Sequence, residues 1–194
     1  MPKYNCSMKN TIRAFIAINL PADVRDYLGT ISADLSRQLP HGAVRWVKPD
    51  RIHLTLRFLG DTDITLLPDI RNVLDEVSTR QKRFDLYLEG FGCFPNCRRP
   101  RVLWAGVGGQ LEDAIRLKEA IDRELALFGW AAEKRPFRLH LTIGRVKDSH
   151  KAVSPTWPES SQRPAIPVNA VHLIESELTP GGPIYTVRHS SPLR

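Results

Sequence analysis

The sequence predicts an α+β fold of two lobes, each an antiparallel sheet with flanking helices, related by a pseudo-two-fold axis with a cleft between them. Three observations predict it. A unit of strand, helix and strand occurs twice: Arg13-Ala-Phe-Ile-Ala-Ile18 leads through a helical stretch to His53-Leu-Thr-Leu56, and Arg101-Val-Leu-Trp-Ala-Gly106 leads through another to His140-Leu-Thr-Ile143. The spacing matches, with 40 positions from Arg13 to His53 and 39 from Arg101 to His140. Strands and helices mix without a strict βαβ rhythm and several connections are of hairpin length, which points away from a parallel sheet.

The elements follow in order. Residues 1–10 are polar and aperiodic, so they read as a loose extension. The apolar run Arg13 to Ile18 reads as a buried strand. Pro21 and Asp23 suit the first turn of a helix that carries Val24, Leu28, Ile31 and Leu35 at helical spacing and ends near Gln38. Val44 to Val47 is a short strand; Ile52 to Leu59 is a longer one, with Gly60-Asp61 as its stop. Asp63 caps a second helix with Ile70, Val73, Leu74 and Val77 on its stripe. Phe84 to Leu88 alternates as a strand, Phe91 to Pro100 reads as a loop, and Arg101 to Val107 as the next strand. Leu111 to Phe128 is the clearest helix, ended by Gly129. Phe137 to Val146 is a strand, the proline-rich residues 152–167 an irregular connection, and Val168 to Glu175 and Ile184 to Arg188 the last strands. Residues 11–194 thus read as one bilobal domain, with a first repeat of about 11–95 and a second of about 96–190.

Composition narrows the function. The 194 residues carry 28 Lys and Arg against 21 Asp and Glu, a net charge of +7. That balance favours a polyanionic partner over a cationic one. No segment approaches the roughly 20 apolar residues of a membrane span, and the apolar run near the start is too short for a secretory signal. A cytoplasmic protein with Cys6, Cys93 and Cys97 as reduced thiols is the expectation. Cys93 and Cys97 lack a second pair, so a structural zinc site is not expected.

The chemistry lies in the repeated tetrapeptides. Strand side chains alternate faces, so His53 and Thr55 share one face while Leu54 and Leu56 share the other. The same holds for His140 and Thr142 against Leu141 and Ile143. The leucines and isoleucine meet the demand of the core; core packing gives no reason to repeat an imidazole and a hydroxyl opposite them. Two histidines facing across a cleft suit phosphodiester cleavage by general acid–base catalysis, because imidazole titrates near pH 6.5 and can play either role. The threonine hydroxyls can donate to non-bridging phosphate oxygens. No metal or cofactor is needed. Arg57 has the parity of His53 and Thr55, so a regular strand aims it at the cleft. Arg145 has the opposite parity to His140 and reaches the cleft only through a bulge near Gly144 or past the strand end.

His53-Leu-Thr-Leu-Arg-Phe-Leu-Gly60 and His140-Leu-Thr-Ile-Gly-Arg-Val146 resemble the two signature motifs of the two-histidine (2H) phosphoesterases. The nearest group is the RNA 2′,3′-cyclic phosphodiesterases, also called 2′-5′ RNA ligases. Trp46-Val-Lys-Pro49, Phe94-Pro95, Pro100 to Trp104, Glu175 to Leu178, Gly182 and Tyr185 fit that group too. The resemblance spans about residues 11–188. It implies a bilobal fold with the site in the cleft and metal-independent opening of a 2′,3′-cyclic phosphate to a 2′-phosphomonoester. It implies His53 as proton donor, His140 as proton acceptor and Arg145 as a phosphate contact. Reversal would join a cyclic phosphate end to a 5′-hydroxyl. The chain has no P-loop, which speaks against an ATP-driven ligase.

The partner expected on this reading is RNA with a 2′,3′-cyclic phosphate end, tRNA fragments included, met by a monomer without cofactor. Two other classes compete. One is a module that grips RNA ends without turnover; binding alone would favour Arg and Lys over paired His and Thr. The other is a phosphodiesterase for small cyclic nucleotide phosphates, which would show little salt dependence. Trp46, Phe58, Trp104 and Tyr185 are candidates to stack bases; of the tryptophans Trp46 is the better one and Trp104 reads as core. His41, His150, His172 and His189 show no partner pattern.

Overall fold

A computed structural model describes residues 10–131, 133, 136–147, 155–158 and 162–194. The expected N-terminal extension, apart from Asn10, and His150 lie outside the described residues. The strands are β1 (Thr11–Asn19), β2 (Val44–Trp46), β3 (His53–Asp63), β4 (Phe84–Phe94), β5 (Val102–Gly109), β6 (His140–Val146), β7 (Ala165–Val168), β8 (Ala170–Thr179) and β9 (Gly182–Pro192). The helices are α1 (Ala22–Gln38), α2 (Leu67–Arg80) and α3 (Leu111–Ala126). All strand pairs are antiparallel. One sheet has the order β3-β1-β8-β9 and the other β2-β6-β5-β4-β7.

These orders refine the repeat. The series β3-β1-β8-β9 corresponds strand for strand to β6-β5-β4-β7, with β2 added at one edge. Strand β4, which precedes residue 95, belongs to the sheet of the second histidine, and β8 to the sheet of the first. The expected repeats 11–95 and 96–190 therefore do not each form one sheet. Each half lends its later strands to the opposite sheet, so neither sheet is complete without the other half of the chain.

The helices form where their stripes demand. Val24, Leu28, Ile31 and Leu35 of α1, Ile70, Val73, Leu74 and Val77 of α2, and Leu117, Ile121 and Leu125 of α3 are buried. They join Ile16, Ile18, Leu54, Leu56, Leu103, Leu141 and Ile143 from both sheets in one continuous core. Asp63 accepts from the amide of Thr65 at 2.9 Å, capping the 3₁₀ turn that leads into α2. Gly129 has φ 96°, the conformation that ends α3's final turn.

Several strands outrun their expected ends. β3 continues through Gly60, whose φ of 74° accommodates a bulge opposite Ala14 and Phe15 instead of a stop. β4 runs to Phe94 through the expected loop, because a second irregularity between Leu88 and Phe91 keeps it paired with β5. β7 lies inside the proline-rich connection; Pro167 is tolerated because β7 is an edge strand. β6 begins at His140, three residues later than expected. Cys93 and Cys97, expected as free thiols, are joined in a disulfide; the turn after β4 brings their Cα atoms to 5.1 Å, within bridging range.

A buried ionic cluster ties the sheets together. Arg57 of β3, 5% exposed, lies 3.3 Å from Asp122 of α3 and donates to the carbonyl of Ala131 at 2.5 Å. Lys118, also buried, pairs with the same carboxylate and lies 3.5 Å from Glu133. Trp130 donates to the carbonyl of Leu59 at 3.1 Å. The strand of the first histidine is thereby fastened to the connection that leads into the second. The charge balance predicts an order of severity. Asp122→Leu, which leaves a buried guanidinium beside a buried ammonium, costs about 3–5 kcal/mol. Arg57→Leu costs less, because Lys118 still neutralises Asp122. Urea unfolding of the two variants checks both the magnitude and the order.

Candidate active site

Each motif strand carries a bulge just after its threonine. In β3, Ile16 pairs with Arg57 and Ala17 with Thr55, leaving Leu56 unpaired. In β6, Leu103 pairs with Gly144 and Trp104 with Thr142, leaving Ile143 unpaired. A bulge sets two residues against one and shifts the alternation that follows. Leu56 and Arg57 are consecutively buried, as are Ile143 and Gly144. Phe58 and Arg145 consequently turn outward, on the face of the histidines and threonines.

This corrects the parity expectation for Arg57. It leaves the cleft face for α3 and holds Asp122 instead. Arg145 reaches the cleft, through the bulge at Ile143 and not one at Gly144. The two equivalent inward positions differ for a physical reason. β3 is the edge of its sheet, so Arg57 has room to extend past it. β6 is flanked by β2, and a Cβ on Gly144 would meet Val44 Cγ1 at 2.7 Å and the Trp46 ring at 3.2 Å. Trp46 therefore packs over Gly144 against the core and does not serve as the stacking face.

The histidines are locked alike. His53 Nδ1 lies 2.9 Å from the carbonyl oxygen of Arg51, and His140 Nδ1 lies 2.7 Å from that of Arg138. A carbonyl only accepts, so Nδ1 carries the hydrogen in both rings and Nε2 is left for chemistry. Aromatic rings hold the imidazoles in place. His53 stacks on Phe15 with centroids 4.6 Å apart and meets the edge of Tyr185 at 5.1 Å. His140 meets the edge of Phe94 at 5.0 Å, and Phe94 packs on Trp104 at 5.2 Å. Trp104, expected in the core, is half-buried opposite Thr142. Phe58 is 58% exposed and 6.1 Å from Phe15.

Strands β3 and β6 come from different sheets yet approach each other. Their functional groups interact electrostatically. Burial pushes the His53 imidazole down to about 4; its bond to the Arg51 carbonyl opposes this, and the nearby Arg145 guanidinium adds to it. Tyr185 is raised by burial and lowered by Arg145, Arg51 and Arg13. Arg138 lies over the Phe94 ring at 5.9 Å. Four arginines thus surround the aromatic floor, none paired with a carboxylate among the described residues. Such a ring of unneutralised cations suits a small anion. Phe15 and Phe94 were not identifiable as supports of the histidines from the sequence, because strand partners across a sheet carry no local signal; the arginine ring has the same cause.

Two carbonyl-held imidazoles, each two residues before a threonine on strands that approach each other, fit a two-histidine phosphoesterase. The chain belongs to the LigT-like phosphoesterase family, matching it over residues 18–104 and 107–185. It is 35% identical over 179 residues to an RNA 2′,3′-cyclic phosphodiesterase of Methanothermobacter thermautotrophicus, covering 90% of this chain and 95% of that one. It is 34% identical to another of that name from Archaeoglobus fulgidus, covering 90% and 96%. Among solved structures, a Thermus thermophilus protein superposes with a TM-score of 0.80 at 31% identity, covering 94% and 98% of the two chains. E. coli LigT in complex with 3′-AMP superposes with 0.72 at 26% identity, covering 94% and 98%.

The depressed His53 has a sign that can be checked. The unfolded chain takes up this proton near pH 6.5, whereas the fold resists until about 4. Stability therefore falls as pH drops through that window, by up to about 1.4 kcal/mol per unit. Ring-nitrogen NMR shifts are expected to show His53 neutral at pH 6 in the free protein. Added inorganic phosphate, by offsetting Arg145 with negative charge, should move its titration upward.

Proposed function

We propose that the protein hydrolyses the 2′,3′-cyclic phosphate end of RNA to a 2′-phosphomonoester by acid–base catalysis between His53 and His140. The observation that carries this reading is the duplicated arrangement of imidazole, hydroxyl and bulge, with Nδ1 held by a carbonyl in both copies. Family membership and the names of the relatives support the substrate class.

In the proposed cycle, His140 Nε2 takes a proton from a water as its oxygen attacks phosphorus. The bond from phosphorus to O3′ breaks, and protonated His53 gives its Nε2 proton to O3′. Thr55 and Thr142 donate to the non-bridging oxygens, where charge accumulates. Arg145 adds a fixed positive charge on the same side. In the free protein burial keeps His53 neutral near pH 7. The arriving phosphodiester anion lies between His53 and the arginines and favours the protonated ring. With a 5′-hydroxyl in place of the water, the same steps join a cyclic phosphate end to it: P–O5′ forms, P–O3′ breaks, and a 2′-5′ linkage and a free 3′-hydroxyl result. Phe58 offers an exposed ring for stacking a base beside the phosphate.

RNA is favoured over a free mononucleotide because Arg13, Arg51, Arg138 and Arg145 present more cationic surface than one cyclic phosphate needs. Among the described residues no helix is long and apolar enough to cross a membrane, and action on RNA in the cytoplasm fits the proposal.

The test is turnover of an oligoribonucleotide ending in a 2′,3′-cyclic phosphate, with EDTA present. Wild type should yield a 2′-phosphate. His53→Ala and His140→Ala should each lose roughly 10²–10⁴-fold in kcat. Tight binding without turnover in wild type would replace this reading with that of a binding module. The oligomer's KM should also rise with salt far more steeply than that of a nucleoside 2′,3′-cyclic phosphate.

A further inference from the structure

The cleft face of the second sheet is laid out in rows, since directly opposed residues of an antiparallel pair share a face. Gly106 lies opposite His140 and Trp104 opposite Thr142. The next row runs from Phe94 to Val102, from Val102 to Arg145 and from Arg145 to Arg45. Phe94 touches the His140 ring, and the Arg145 charge acts on His53 and Tyr185, so this row faces the site. The other face of β2 agrees. Val44 and Trp46, on either side of Arg45, both lie over Gly144 and pack on the core. Arg45 therefore stands one strand spacing of ~4.8 Å beyond Arg145, at the edge of the sheet.

Like charges directly opposite each other destabilise a sheet. Among the described residues neither guanidinium has a carboxylate or a hydrogen-bond partner to relieve that repulsion. Both side chains are exposed, and β2 meets the core through Val44 and Trp46, so packing gives no reason for a second arginine here. Two adjacent guanidiniums become favourable once anions lie on them. The reacting phosphate occupies Arg145 in the proposed cycle, which leaves Arg45 for another. A 2′,3′-cyclic phosphate closes the 3′ end of its strand, so every further phosphate lies on the 5′ side. The nearest is the phosphodiester that joins the terminal nucleoside to the one before it.

We propose that Arg45 holds the phosphodiester immediately 5′ of the terminal nucleoside, and so sets a preference for a chain of at least two nucleotides over a free nucleoside cyclic phosphate. The inference rests on the reading that the reacting phosphate lies between His53 and His140. Arg45 is a substrate-binding residue on this account and takes no part in the proton transfers.

The test compares uridine 2′,3′-cyclic phosphate with uridylyl-(3′→5′)-uridine 2′,3′-cyclic phosphate, which adds one nucleoside and one phosphodiester. Wild type should show the lower KM for the dinucleotide. Arg45→Gln should raise that KM by roughly 2–5-fold. It should also reduce the slope of log KM against log salt by about 0.7, the share of one phosphate on a single strand. The mononucleotide's KM, and kcat for both substrates, should stay unchanged. Arg45→Lys, which keeps the charge, should restore most of the dinucleotide's KM. Arg80→Gln removes the same charge from the exposed end of α2 and should change neither substrate. A dinucleotide whose internal linkage is an uncharged methylphosphonate should lose its advantage in wild type and lose nothing further in Arg45→Gln. An unchanged dinucleotide KM in Arg45→Gln would overturn the inference. So would an equal rise for the mononucleotide, which would put Arg45 on the reacting phosphate. Should wild type turn over neither substrate, the reaction falls, and calorimetry with the two 2′-phosphate products decides for Arg45. A loss of affinity confined to the dinucleotide sustains its contact; no loss removes it.

Discussion

The site depends on two β-bulges, one directly after the threonine of each motif strand. A regular strand after His53-Leu-Thr would present Arg57 to the cleft and bury Phe58. The bulge at Leu56 reverses this, so the floor gains an aromatic ring and the core gains a guanidinium. The bulge at Ile143 does the same for Arg145 and Gly144. Extra twist at a bulge also re-aims the strand, which fits the approach of β3 and β6 from separate sheets. The histidine and threonine that precede each bulge keep ordinary alternation, with their apolar partners in the core.

The two copies then diverge in ways that follow from what flanks them. Arg57 at a sheet edge reaches Asp122, and the ionic cluster around it fastens one histidine strand to the lead-in of the other. Gly144, under Val44 and Trp46, has no such freedom. His53 is enclosed by Phe15 and Tyr185 and depressed in pKa by that burial, with Arg145 adding its charge. His140 has Phe94 at its edge and Trp104 behind. Repeated sequence thus supplies the same carbonyl-held imidazole twice, set in unlike surroundings.

Much of this was legible in the sequence because it is local. The helices follow from their apolar stripes, and Leu54, Leu56, Leu141 and Ile143 point inward as alternation requires. The α+β class followed from the mixed rhythm, and the equivalent places of β3 and β6 in the two sheets from the repeat. What was illegible is non-local. A bulge is decided by the partner strand, so alternation alone points Arg57 to the wrong face. The placing of β4 in one sheet and β8 in the other is a long-range pairing, so the repeats 11–95 and 96–190 do not reveal it. Gly60 read as a stop because glycine breaks most strands; here its positive φ lets the strand bend and continue. His172 lacked a sequence partner because Ser190 is brought beside it only by the β8-β9 hairpin.

The most direct measurement is a crystal structure of the protein with a uridine–vanadate complex, a five-coordinate mimic of phosphorus in transit. The account predicts Nε2 of His53 and of His140 on opposite apical oxygens of one vanadium, each at about 2.6–3.2 Å. Phe58 and Arg145 should face the vanadate while Arg57 stays on Asp122. Vanadate held by a single histidine, or Arg57 swung into the cleft, would contradict it.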